Sequence, residues 1–290
     1  DIINDAEFTP AGRIPDPQRM VRAYNQSAAT LNLLRALTRG GYASLRNVHD
    51  WTMDYMGQQD WTEERFHALA NQITDSLGFM QACGVAGSES AQFDEATLYA
   101  SHEALLLPYE QALTRRATLE HPMVKAGGWY DTSGHFLWIG DRTRFEGSAH
   151  VEFLRGVRNP IGVKCGPSLE ADVLLRLLDT LSPDREEGRI TLIARFGDDK
   201  VAGSLPQLVR AVKASGHPVV WSCDPMHGNV ITSASGKKTR PFERILREIE
   251  GFFAVHEAEG TIAGGIHLEM TGRNVTECTG GGINITDAGL

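Results

Sequence analysis

The spacing of apolar positions changes about a third of the way along the chain. From Met20 to Leu37 they recur at helical intervals, through Val21, Tyr24, Ala28, Leu31 and Leu34, with Pro17 ahead and Gly40-Gly41 behind. Proline suits a first helical turn and paired glycines end one, so the pattern predicts a helix whose stripe belongs to a core. A second helix is expected after Thr62, with Phe66, Leu69, Ile73, Leu77 and Met80 as its stripe and its end near Gly84. A third is expected over Glu103 to Ala117, headed by His102-Glu103 and kinked at Pro108.

Short apolar runs then alternate with amphipathic segments. The runs are Phe136–Ile139, Ile161–Lys164, Thr191–Arg195, Val219–Cys223 and Gly265–Glu269, and Thr97–Ala100 is read as one more strand. Helices are expected between them at Leu169–Leu181, Leu205–Ser215 and Phe242–Glu259. Strand-helix alternation with nearly continuous apolar strands predicts parallel strands covered by helices.

A doubly wound sheet and a (β/α)8 barrel both fit. The barrel is preferred because polar residues stand at the C-terminal ends of many strands: Ser101-His102-Glu103, Asp141-Arg142, Lys164, Arg195, Asp224 with His227, and Glu269. A barrel gathers those ends at one mouth, whereas an open sheet concentrates them at a switch point. The expected architecture is one α/β barrel domain over 1–290, with a helical insertion at about 15–95. Six strands are counted, so the barrel is expected to be incomplete at both termini in this numbering.

Composition narrows the functional classes. A formal charge of −9 over 290 residues argues against nucleic-acid binding. No apolar run approaches the roughly 20 residues of a membrane span, and the start has neither a basic n-region nor an apolar h-region. Cys83, Cys165, Cys223 and Cys278 form no CxxC pair, which suggests free thiols and a cytoplasmic location.

The segment Trp221 to Asn229 passes from a strand end through Asp224-Pro225 into His227-Gly228-Asn229. Imidazole and carboxylate are ordinary ligands for Mn²⁺ and similar divalent metals. A lone His after an Asp-Pro turn is more often a surface residue; Glu269 at another strand end favours a metal reading. A second constellation is cationic: Arg142, Lys164, Arg195, Lys237, Lys238 and Arg240. Lys164 and Arg195 close apolar strands, where an unpaired buried charge is costly and an anionic ligand would relieve it. Ser235-Gly236-Lys237-Lys238-Thr239 fails the P-loop pattern, and no GxGxxG, HExxH or GxSxG occurs.

Several segments together resemble class II (plant-type) 3-deoxy-D-arabino-heptulosonate 7-phosphate (DAHP) synthases. They are Asp16–Tyr24, Tyr99–Leu105, Trp138–Arg144, Asn159–Pro167, Cys223–Asn229, Lys238-Thr239-Arg240, Gly264–Glu269 and Asn274–Cys278. They run in the family's order over nearly the whole chain. The resemblance implies a (β/α)8 barrel condensing phosphoenolpyruvate with erythrose 4-phosphate in aromatic (shikimate) biosynthesis, and a homo-oligomer. It implies a divalent metal, Mn²⁺ or Co²⁺, with His227 and Glu269 matching two ligands and a Cys and an Asp ligand expected outside this numbering. Lys164 and Arg195 match residues that hold phosphoenolpyruvate, with Arg142 as a further phosphate contact. Lys238 and Arg240 match phosphate-binding positions on the aldose side. Asp141 stands where the family usually has Glu, which shortens its reach to substrate. Two rivals remain, a non-catalytic homologue that binds phosphorylated ligands or a partner, and a metal-dependent hydrolase or aldolase of another barrel family.

Overall fold

A computed structural model describes residues 3–44, 47, 49–53, 64–83, 97–119, 124–273, 275–281 and 285–289. Thr62, Gly84 and Asn274, which bounded or belonged to segments named above, lie outside the described residues. The chain divides into two compact units, Asp1–Ala100 and Ser101–Leu290.

Two long helices are described in the first unit, with turns and bends before the first of them. Helix α1 spans Gln18–Arg39 and α2 spans Glu64–Ala82. Asp16 caps the start of α1, its carboxylate accepting from the Gln18 amide at 3.0 Å. Helix α1 lies where the apolar spacing places it, but its stripe does not enter a core. No residue of α1 is buried, and Val21, Tyr24, Leu34 and Leu37 are exposed. Periodicity reports a face that can bind a surface and says nothing of whether one is present.

The second unit opens with β1 (Ser101–Glu103), α3 (Leu107–Leu113), β2 (Thr114–Arg116), β3 (Trp129–Asp131) and β4 (Phe136–Ile139). There follow α4 (Ala149–Gly156), β5 (Ile161–Cys165), α5 (Ala171–Leu181), β6 (Ile190–Ala194), α6 (Val201–Ser215) and β7 (Val219–Cys223). It continues through β8 (Ile231–Thr232), β9 (Lys238–Pro241), α7 (Phe242–Ala258), β10 (Gly265–Ile266) and β11 (Cys278–Thr279). Two expectations are corrected here. Residues 97–100 are not a strand; pairing begins at Ser101, in register with Phe136. His102-Glu103 therefore lies in that strand instead of heading a helix. Pro108 does not kink a long helix but stands in the first turn of α3, where its missing N–H costs nothing. The chain then leaves the helix as β2, which pairs antiparallel with β3.

The main sheet has the order β1-β4-β5-β6-β7-β10, every pairing parallel. Neighbours follow chain order without reversal and each crossover carries a helix, which removes the doubly wound alternative. The unit is thus mixed α/β on a curled, parallel half-barrel sheet. The side strands β8, β9 and β11 form a separate small sheet.

Alternation along the strands divides two surfaces. Leu137, Ile139, Ile161, Val163, Leu192, Ala194, Trp221 and Cys223 are buried, and they pack in one core with Leu174, Leu177, Leu178 and Leu181 of α5 and Leu205, Leu208, Val209 and Val212 of α6. The leucines repeat at i, i+3, i+4 and i+7, the face a helix lays on a sheet. Each such side chain contributes roughly 1.5–3 kcal/mol by leaving water. On the opposite face, Phe136, Trp138 and Thr191 are half-buried and Val220 is exposed. Gly162 is required there, because a Cβ would lie 2.9 Å from both Trp138 and Ile193 side-chain atoms.

Candidate active site

The parallel ladder runs one residue past the strands and thereby places the polar residues. The Arg195 amide donates to Cys165 O at 2.8 Å, the Asp224 amide to Ala194 O at 2.6 Å and the His267 amide to Cys223 O at 2.6 Å. Since alternate residues share a face, Lys164, Arg195 and Asp224 project on the side opposite the helix-facing core.

Asp224 is the hub of the site and is fully buried. Its carboxylate forms an ion pair with Lys164 Nζ. It also accepts from the backbone amides of Met226 and His227, each at 3.1 Å, which shapes the Asp-Pro turn. His227 Nδ1 lies 2.7 Å from Asp224 Oδ2. Burial pushes the Asp224 carboxyl upward, but hydrogen bonding from His227 and the Lys164 ammonium overcome it and hold the group well below the usual carboxylate range. An ionised Asp224 can only accept, so Nδ1 carries a proton and Nε2 is the ring nitrogen left for another partner. That nitrogen lies 3.3 Å from Glu269 Oε1.

Arg195 is held from two sides. Its Nη1 meets Asp141 Oδ2 at 2.9 Å and its Nη2 donates to His227 O at 3.1 Å. Asp141 also receives Arg144, at 3.1 Å from Nε and 2.8 Å from Nη2. Gly166 leaves room for this pairing, since a Cβ would stand 3.3 Å from both Arg195 Nη1 and Asp141 Oδ1.

Lys164 and Arg195 are thus not the unpaired charges expected at the ends of their strands. Lys164 and Arg195 have internal carboxylate partners, so burial alone does not demand a ligand for either. Asp141 serves two guanidinium groups, and Arg142 is exposed with no partner among the described residues.

Asp141, Arg142, Lys164, Arg195, His227, Lys238 and Glu269 all line one cavity of about 870 Å³, with Glu103, Trp138 and Val230 among the other walls. Arg240 does not line it. It donates to Met226 O at 2.9 Å and pairs with Glu277 at 3.1 Å, so it braces the loop that carries His227. Lys164 Nζ stands 5.5 Å from the Trp138 ring centroid, and His267 meets the same ring edge-on at 5.0 Å.

The residues present fit part of a metal site. A carboxylate-held imidazole whose free nitrogen faces a second carboxylate is a donor arrangement for a first-row divalent ion. Among the described residues no group of three or more His, Cys, Asp or Glu side chains is placed to hold an ion, so His227 and Glu269 supply two donors. Cys165 and Cys223 are buried with thiols pushed up chiefly by burial, Cys165 to about 12, and both face the helices. They are inert structural groups.

Sequence reasoning did not single out Arg144, Asn229 or Glu248 for this site. Glu248 left a readable signal, since it falls on the buried stripe of α7 with Ile245, Phe252 and Val255. A carboxylate in a core stripe needs partners.

Comparison with known proteins supplies a family. The sequence model of the Class-II DAHP synthetase family matches residues 1–290. The phospho-2-dehydro-3-deoxyheptonate aldolase of Streptomyces coelicolor is 50% identical over 285 residues, covering 98% of this chain and 61% of the relative. The phospho-2-dehydro-3-deoxyheptonate aldolase AroG of Mycolicibacterium smegmatis is 47% identical over 292 residues, covering 100% and 61% respectively. The chain thus spans about three fifths of the length of these relatives. A match over every residue, with the strand-end residues gathered round one cavity, leads to a plain conclusion: the chain belongs to the Class-II DAHP synthetase family.

Proposed function

We propose that this protein condenses phosphoenolpyruvate with erythrose 4-phosphate to give DAHP and phosphate, on a (β/α)8 barrel whose mouth is the 870 Å³ cavity. The observation that carries the reading is the convergence of cations with the His227–Glu269 pair in one cavity. Two relatives named as the aldolase of this product support it.

Phosphoenolpyruvate presents a phosphate and a carboxylate. Arg142, Lys164 and Arg195 hold it, the guanidinium groups as forks and the ammonium as a point charge. The fixed positions of Lys164 and Arg195 provide orientation and offset charge developing in the transition state. Lys238 anchors the aldose phosphate. His227 and Glu269 would hold a divalent metal, Mn²⁺ or Co²⁺, with further donors completing its coordination. When bound, that ion supplies Lewis-acid polarisation of the aldehyde oxygen. C3 of phosphoenolpyruvate forms the new bond to the aldehyde carbon, water adds at C2, and phosphate leaves.

The test is turnover by the intact protein, read as loss of phosphoenolpyruvate absorbance on adding erythrose 4-phosphate. Activity should vanish in excess chelator and return with Mn²⁺ or Co²⁺. Binding of both substrates without turnover in metal-supplemented protein would reject catalysis in favour of a phosphate-binding homologue.

A further inference from the structure

Behind the cavity, a single carboxylate ties together the two loops that carry Arg195 and His227. Glu248 lies on α7 and is completely buried. Its Oε1 accepts from the Phe196 amide at 2.7 Å, one residue after Arg195. Its Oε2 accepts from Asn229 Nδ2 at 2.7 Å, two residues after His227. Asn229 is itself buried. It donates also to Pro225 O at 2.8 Å and accepts from the Asp198 amide at 3.0 Å. Glu248 and Asn229 thus form a closed bracket across the loops that follow β6 and β7.

The loops touch on the cavity side as well. Arg195 Nη2 donates to His227 O. Gly197, with φ of +85°, lies against Gly228, and a Cβ on it would stand 2.9 Å from Gly228 O. With glycine against glycine, the backbones meet without side chains between them. Their separation is then set by what pulls from behind.

An apolar residue at position 248 would satisfy the helix packing of Ile245, Phe252 and Val255. It would strand the Phe196 N–H and the Asn229 amide in a dry site, each a considerable penalty. Burying a carboxylate is costly too, and its acid is pushed up to about 7, chiefly by burial. A bracket that costs stability in the helix interior suggests a positional task.

We propose that Glu248 is a positioning residue, acting with Asn229 to hold Arg195 and His227 at the separation that binds the anionic substrate. The inference rests on the functional reading given above for Arg195 and His227.

The variant that separates position from packing is Glu248→Gln in the intact protein. It keeps size and one acceptor but must set its amide N–H2 against either the Phe196 N–H or the Asn229 N–H2. Phosphoenolpyruvate affinity, measured by titration calorimetry, should fall at least tenfold while circular dichroism shows the protein folded. Folded Glu248→Gln protein with wild-type affinity would overturn the proposal. If Glu248→Gln does not fold, Asn229→Ala is read the same way, and wild-type affinity there overturns it. Deuterium exchange gives a readout independent of substrate. Exchange should accelerate locally in peptides covering 195–199 and 225–230, and unchanged protection in both loops would overturn the role. If the wild type binds no phosphoenolpyruvate, the functional reading fails and the exchange result alone judges Glu248.

Discussion

Removing the charge of Asp224 while keeping its shape is the sharpest test of how this site is built. Asp224→Asn leaves Lys164 as a buried ammonium without its counter-charge and gives His227 Nδ1 a weaker, neutral partner. Breaking a buried ion pair from one side costs about 3–5 kcal/mol. At about 2–4 °C per kcal/mol for a unit of this size, the melting temperature should fall by roughly 6–20 °C at pH 7. The double variant Lys164→Met, Asp224→Asn should recover part of that loss, because it removes the uncompensated charge. Loss of the carboxylate behind a ligating imidazole should also weaken Mn²⁺ binding by about ten- to a hundredfold. The pH dependence has a definite sign. The folded acidity constant of Asp224 lies below its ordinary 3.8, so its contribution is present above about pH 4 and is lost as pH falls further. The acid limb of the wild-type stability curve should therefore be steeper than that of Asp224→Asn. Thermal melts from pH 3 to 7 with metal titrations read all of this. An Asp224→Asn protein with unchanged melting temperature and metal affinity would refute the hub.

Arg195→Lys should weaken phosphoenolpyruvate binding by about ten- to a hundredfold, since one ammonium cannot replace a fork worth roughly 1.5–3 kcal/mol; calorimetric affinity equal to wild type would contradict this. Gly228→Ala places a Cβ against the Gly197 backbone and 3.1 Å from Phe196 C, with no flexible side chain to yield. Overpacking of this kind costs about 1–3 kcal/mol, so the melting temperature should drop by several degrees and phosphoenolpyruvate affinity should fall with it. Burial, then hydrogen bonding to Glu110, pushes the Asp131 carboxyl up from 3.8 to about 6. A raised acid contributes its stability below the unfolded value and loses it as pH rises through the folded one. Asp131→Asn should flatten the slope of melting temperature between about pH 4 and 6, and an unchanged slope would count against the assignment.

Much of this protein was legible in its sequence, and the limits have physical causes. The strands β4 to β7 and the helices α5 and α6 follow from short buried runs alternating with 3.6-residue stripes, because both periods are local properties of the backbone, whereas α4 was not anticipated. The strand-end residues were identified for the same reason, since a strand in a parallel sheet delivers its C-terminal side chains to one edge. The errors are equally physical. The Glu103–Ala117 segment carries adequate helical spacing throughout, yet Thr114–Arg116 pairs with Trp129–Asp131, a partner thirteen or more residues away that no local pattern reveals. The stripe of α1 was correctly seen as a face and wrongly assigned to a core, because amphipathicity does not identify a partner surface. What only tertiary structure decided is who answers each charge. Lys164 meets Asp224 across sixty positions and Arg195 meets Asp141 across fifty-four, while Arg240 turns away from the cavity to hold a carbonyl. Composition gives the number of charges, but pairing depends on ångström-scale geometry between strands. That geometry exists only once the sheet and its helices have closed the core beneath the site.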